Sequence, residues 1–232
     1  MPGRAGGAGR PFDRRKHQTV NEVRLTERDS ANLKTFLRAI GAVLACCAVY
    51  LVVIGFLFLQ TKHGTDTEAA LEIAEDIMLG AAAVLFFALA RKIPEERAGI
   101  LLIAGFLTAL FIREQDFAFD AISHSAWLIP EAVFLVPLFW YVWKRGLSET
   151  LEGLGNFVRS DSFVLMAAGV AMLLVFSRLY GSGSLWKLFI SDPDSMYIAK
   201  RISEESMEIL SYALMTISAG AYYVRRIHGR AS

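Results

Sequence analysis

The sequence predicts an all-α, polytopic transmembrane helix bundle of about six spans with both termini in the cytoplasm. Three observations predict it: an apolar composition, long apolar runs parted by polar breaker segments, and a one-sided distribution of basic residues. Hydrophobic residues make up 54% of the 232 and charged residues 20%, a balance that favours a membrane class because a soluble domain must cover itself with water-compatible side chains. The formal net charge of +1 provides no electrostatic footprint for a polyanion, so no nucleic-acid partner is expected.

Taken in order, residues 1–35 hold Gly, Pro, Arg and Lys with few large apolar side chains. Such a segment cannot bury enough surface to offset the entropy of ordering, and a disordered basic cytoplasmic tail is expected. Residues 36–226 then form a transmembrane domain. Its first span, Ile40–Leu59, is an uncharged run of 20 residues, which at 1.5 Å rise per helical residue matches a hydrocarbon core of roughly 30 Å. It lies some 35 residues in with no small-residue cleavage site behind it, and so reads as a retained span rather than a cleaved leader. Cys46 and Cys47 are adjacent within it; that spacing suits neither a disulfide nor a metal, and both read as small packing residues.

Five further spans are expected at about 69–90, 98–117, 126–143, 163–180 and 207–224, with a short cytoplasmic tail at 227–232. Between them lie KHGTD, RKIPEER, KRGLSETLEGLGN and YGSGS, read as polar connections carrying breakers. Inside hydrocarbon an unpaired backbone group costs several kcal/mol, so runs of this length are helices, not open strands. The alternating segments of about ten residues that build a barrel are absent from the pattern. LWKLFI at 185–190 fits either an interfacial segment anchored by Trp186 or a short buried loop.

Orientation is set by Lys and Arg. Alternating the connections places 18 of the 24 basic residues with the N-terminal tail, the loops around Arg91–Arg97 and Lys144–Arg159, and the C-terminal Arg225, Arg226 and Arg230. The remaining Lys62, Arg113, Arg178, Lys187, Lys200 and Arg201 fall on the opposite side, so the positive-inside rule places both termini in the cytoplasm. An even number of spans is then required. The cell membrane, most simply a bacterial inner membrane, is the expected location.

Carboxylates show the complementary bias: 14 of the 23 acidic residues fall on the outer side, and several sit within helices. Residues three, four or seven apart share a helical face. This groups Glu72, Glu75 and Asp76 at the start of the second span, with Leu79, Gly80 and Ala83 continuing the face inward. It also places Arg113, Asp116, Asp120 and His124 on one stripe beside Glu114, and Arg201, Glu205, Glu208 and Tyr212 on one face beside Glu204. Glu131 comes directly after Pro130 in the fourth span, and Arg178 closes the fifth. A charge near the bilayer centre costs at least about 2.5–3.5 kcal/mol, so Glu75, Glu131 and Glu208, the deepest by count, are expected to face the bundle interior with Arg113, Arg178 and Arg201 as partners. The candidate ligand-binding set is thus Glu72, Glu75, Asp76, Arg113, Glu114, Asp116, Glu131, Arg178, Arg201, Glu204, Glu205, Glu208 and Tyr212. Against it stands a simpler account, in which acids at outer helix N-termini complement helix dipoles; this suits Asp66, Glu68, Asp192 and Asp194 best.

No cofactor or resident metal is expected. Glu204, Glu205 and Glu208 place two carboxylates on one face, but no Glu-x-x-His accompanies them as in carboxylate-bridged di-metal bundles, and His124 is the lone imidazole near the cluster. A hard cation with oxygen ligands fits better than a transition metal. Neither G-x-S-x-G nor G-x-x-x-x-G-K-[ST] occurs. The expected function is binding or transport of a small cationic, zwitterionic or proton-coupled ligand, or a lipid headgroup, at an outward carboxylate/arginine cavity. Two alternatives stay open: an enzyme acting on a lipid or lipid-linked substrate at the outer leaflet, which bound metal would favour, and an accessory or scaffold subunit, which a stoichiometric partner would favour. The bilayer and a small or lipid ligand are the expected partners, with a second membrane protein or another copy of the chain left open.

Overall fold

The computed structural model describes residues 67–115, 119, 123 and 125–231, with scattered positions between 30 and 55. Among the described residues every regular element is helical and none is a strand, which bears out the all-α expectation. Residues 1–40 form one unit and 41–232 another. In the first, the described positions Ser30, Leu33, Lys34, Phe36, Leu37 and Ile40 are helical; the rest of the expected tail lies outside the described residues. In the second, the described positions of the expected first span, from Gly41 to Gly55, are helical and exposed.

Six helices of the second unit matter for the site: α1 (Thr67–Lys92), α2 (Arg97–Glu114), α3 (Leu128–Arg145), α4 (Leu147–Val158), α5 (Ser162–Ala171) and α6 (Pro193–Ala231). α5 continues without a break through a π-helical stretch, Met172–Ser177, into Arg178–Tyr180. Leu71–Lys92 and Ser162–Tyr180 are long and apolar enough to cross a membrane. α2 and α3, at 18 residues each, are interrupted near their ends by Arg97, Arg113 and Glu114 and by Glu131, Lys144 and Arg145.

α1 packs on α2 and α6, and α6 packs on α5. The core they enclose includes Leu79, Phe86, Leu89, Ile100, Leu107, Leu173, Met215 and Tyr222. Side-chain contacts set the helix directions. Glu114 meets Tyr212 while Glu96 meets Arg226, so α2 runs antiparallel to α6. Ser177 meets Glu208 while Ser218 donates to the Ser162 carbonyl, so α5 does too. Thr216 Oγ1 donates to the Met78 carbonyl at 2.8 Å, and the Lys92 ammonium lies 5.3 Å from the Tyr223 ring, which aligns α1 with α6. The four-helix core therefore has two chemically distinct ends.

Three features depart from the sequence expectation. The connection KRGLSETLEGLGN is largely helix α4, and its Gly153 is a contact residue. A Cβ on Gly99 of α2 would lie 2.6 Å from the Leu154 amide nitrogen and 2.8 Å from the Gly153 Cα, so the two helices cross backbone to backbone, as small residues permit. Gly146, at φ +92°, makes the left-handed turn that separates α3 from α4. Glu149 then closes the crossing: its Oε1 accepts the Ala98 amide at 3.0 Å, satisfying a free donor at the start of α2, and its Oε2 pairs with Arg145 at 2.8 Å. The second departure is α6, which has 39 residues and extends on both sides of the expected 207–224, so residues 227–231 are helix. Pro193 suits a first helical position, and the Asp192 carboxylate caps the helix by accepting the Ser195 amide at 2.9 Å. The third is the π-helical stretch that continues α5, which carries a buried serine toward α6.

α3 has no buried residue. Ile129, Val133, Val136, Trp140 and Trp143 are each more than 60% exposed, an unpartnered apolar face of the kind that marks a membrane-facing or interaction surface. Past the short helix Gly183–Trp186, Leu188 and Phe189 are also exposed, and the Trp186 indole is fixed by donation to the Tyr180 carbonyl at 2.7 Å.

Candidate functional site

At the end of the core where α1 and the apolar part of α6 begin, three carboxylates converge. Glu75 lies on the inner face of α1, in register with buried Leu71, Leu79 and Ala82. Glu205 and Glu208 stand three apart on α6 and therefore on one face. One oxygen from each of the three lies within 4.8 Å of the others. Glu75 is the most enclosed, at 3% exposure, and its Oε1 has no hydrogen-bond partner.

A shell of donors holds part of this group. Ser177, wholly buried at the end of the π-helix, donates to Glu208 Oε1 at 2.7 Å. π turns recur at functional positions; in α5 the π-helical stretch ends on Ser177, directly before Arg178. Tyr212, also wholly buried, donates to Glu114 Oε1 at 2.6 Å. Gln115 donates to Asp76. Arg201 faces Glu205 at 3.6 Å and donates to the Tyr197 hydroxyl at 2.8 Å, while Lys200 faces Glu204 at 3.6 Å. The cations whose fields reach Glu114 and Glu208 are Arg113 and Arg178. The Glu204 carboxylate occupies the space a Cβ on Gly181 would need.

Of the residues expected from sequence, Glu75, Glu205 and Glu208 thus form the centre, Glu114, Tyr212, Arg113 and Arg178 lie around it, and Glu204 and Arg201 stand at its outer edge. Glu72 is exposed one turn outward from Glu75, with its charge reaching Glu205. Asp76 points to Gln115. Glu131, partly exposed in the first turn of α3, is not brought into the carboxylate group. Asp116, Asp120 and His124 lie outside the described residues. Ser177 and Gln115 were not expected; a serine in MLLVFS has no one-dimensional signal, since only the π-helix and the α5–α6 contact give it a partner.

Chemically the group offers oxygen donors that could hold a positive charge or a proton. Three carboxylates at this separation repel one another strongly where water is sparse, and oxygen donors without imidazole or thiolate suit hard cations, ammonium groups or protons rather than soft metals. No known family model, curated protein or solved structure matches the chain, so the geometry of the site alone carries its functional reading.

Proposed function

We propose that this chain is a six-span membrane protein, both termini cytoplasmic, that binds a small positively charged ligand at an outward-facing carboxylate site and transports or responds to it. The ligand is a cation, the ammonium of a zwitterion, or a proton-coupled solute. The observation that carries this reading is Glu75: a carboxylate 97% removed from solvent, with an unpartnered oxygen, at the point where α6 supplies two more. A buried carboxylate stays charged only when something compensates it and otherwise takes up a proton; in this reading the bound cation is what compensates Glu75.

Membrane location is supported by the two apolar helices and by the exposed apolar face of α3. The two ends of the core match the basic asymmetry of the sequence, acidic where the loops are poor in Lys and Arg, basic at the other. With the acidic end outward, the site opens to the non-cytoplasmic side.

Calorimetric titration of the protein in nanodiscs with Ca²⁺, Mg²⁺, ammonium and choline tests the idea. Saturable binding of at least one of them, weakened about tenfold or more by Glu75→Gln in a protein that keeps its thermal unfolding transition, is expected from loss of one charged ligand. Binding to none, or equal binding by the variant, sinks it.

A further inference from the structure

At the opposite end of the core lies a second polar site, chemically the reverse of the first and independent of the function proposed above. The residue just before α2, the end of α4 and the last turns of α6 border an open cleft of about 530 Å³, lined by Glu96, Asn156, Arg159, Tyr222, Arg225 and Arg226 among others. Glu96 and Tyr222 are 7% and 1% exposed. The floor is close-packed, the rings of Phe86, Phe157 and Tyr222 lying with centroids 4.9–5.9 Å apart.

The cleft's hydrogen bonding is incomplete in a specific way. Arg226 donates to Glu96 Oε1 through one terminal nitrogen, yet its buried Nε has no acceptor. The Tyr222 hydroxyl, buried and lining the cleft, has no partner, and Glu96 Oε2 has no donor. Arg159 bonds only the Asn156 side chain, at 2.7 Å, and has no carboxylate partner among the described residues. Arg225 is already paired with Asp161 at 2.7 Å and is half exposed. The unmet needs are therefore an anionic oxygen for Arg159, Arg226 and Tyr222, and, beside it, a hydrogen-bond donor for Glu96.

We infer that this cleft binds a phosphate group that carries a hydroxyl or ammonium donor a few atoms away. Guanidinium forks match phosphate oxygens, and the Glu96 oxygen selects the adjacent donor, since leaving it unpaired beside a bound ligand costs the carboxylate's full desolvation. Two sources share this chemistry: the headgroup of phosphatidylglycerol or phosphatidylethanolamine, and a soluble phosphate monoester of the same kind. Phosphatidylcholine has the phosphate without the donor and is the built-in negative control.

The test uses the full chain in phosphatidylcholine nanodiscs. Titration with glycerol 3-phosphate and O-phosphoethanolamine reports the soluble source. Native mass spectrometry after reconstitution in equal mixtures of phosphatidylcholine with phosphatidylglycerol or phosphatidylethanolamine reports the lipid source. Binding in either arm is expected, with retention of donor-bearing lipid over phosphatidylcholine if the headgroup is the ligand. Arg159→Gln, which breaks no ion pair, is expected to weaken that binding by about tenfold. Glu96→Gln should erase the preference over phosphatidylcholine while phosphate binding persists, and Tyr222→Phe repeats the Arg159 result should Glu96→Gln fail to fold. Equal retention of all three lipids with no saturable soluble binding overturns the inference, as does wild-type affinity in both Arg159→Gln and Tyr222→Phe.

Discussion

Within the carboxylate group, Glu75, Glu205 and Glu208 are not equivalent, because their environments differ. Glu208 accepts from Ser177 and Glu205 has Arg201 at 3.6 Å, whereas the buried Oε1 of Glu75 has no partner. Ligand binding should accordingly fall most for Glu75→Gln and less for Ser177→Ala, which removes one neutral donor. Glu131→Gln should leave binding within about twofold, since Glu131 is outside the group; calorimetry across the three variants checks the order. Tyr212→Phe tests the neighbouring bond. It leaves a partly buried Glu114 oxygen without its donor, and a loss of about 1 kcal/mol is expected by thermal or denaturant unfolding in detergent. The types and spacing of these residues were readable from the chain: Glu205, Glu208 and Tyr212 share a face by helical arithmetic alone. What the arithmetic lacked was which face meets which. Glu75 and Glu131 look alike in depth along the sequence, yet α1 is packed on both sides and α3 is not, so only Glu75 is enclosed.

At the scale of elements, α4 and the α6 extension carry the tests. Gly99 and Gly153 let α2 and α4 cross at backbone contact, and a larger side chain at either must push the helices apart. Gly153→Val is expected to destabilise the protein by about 1–3 kcal/mol or more, seen as a lower unfolding temperature, while Gly155→Ala on the same helix meets only the far end of the Arg159 side chain and should cost far less. At the start of α6, hydrogen bonds from Ser195 hold the Asp192 carboxyl below its ordinary titration range. Because the folded group binds its proton less readily than the unfolded one, the cap contributes above the unfolded value and is lost as pH falls through the folded one. Faster amide exchange in the first turn of α6 is thus expected below about pH 4, and at neutral pH in Asp192→Ala. α4 was hidden in the sequence for a physical reason. It turns Thr150, Gly153 and Phe157 inward and Leu147, Leu151 and Val158 outward, so its apolar residues do not mark its buried face and its glycines resemble breakers.

For the unit that holds residues 41–232, the polarity of the core is the central property: a carboxylate-rich end and a guanidinium-rich end with apolar helix faces between them. Six spans with both termini inside predict that single cysteines at positions 17 and 228 are shielded from a membrane-impermeant thiol reagent in intact cells, in a variant without Cys46 and Cys47, and that a cysteine at position 187 is labelled. Labelling at 17 or 228 in intact cells would reverse the orientation and turn the acidic site toward the cytoplasm.

Helicity, the polarisation of charge and most of the acidic cluster's membership came from the sequence by itself, because hydropathy, helical period and the distribution of Lys and Arg are local or additive properties of a chain. Tertiary structure alone decided that Glu75 belongs with Glu205 and Glu208, that a π turn brings Ser177 to them, that two glycines are a helix crossing, and that Glu96, Arg159, Tyr222 and Arg226 close one cleft. Each of these depends on which helix faces meet, and that is set by packing between residues up to 138 positions apart, for which one-dimensional periodicity carries no term.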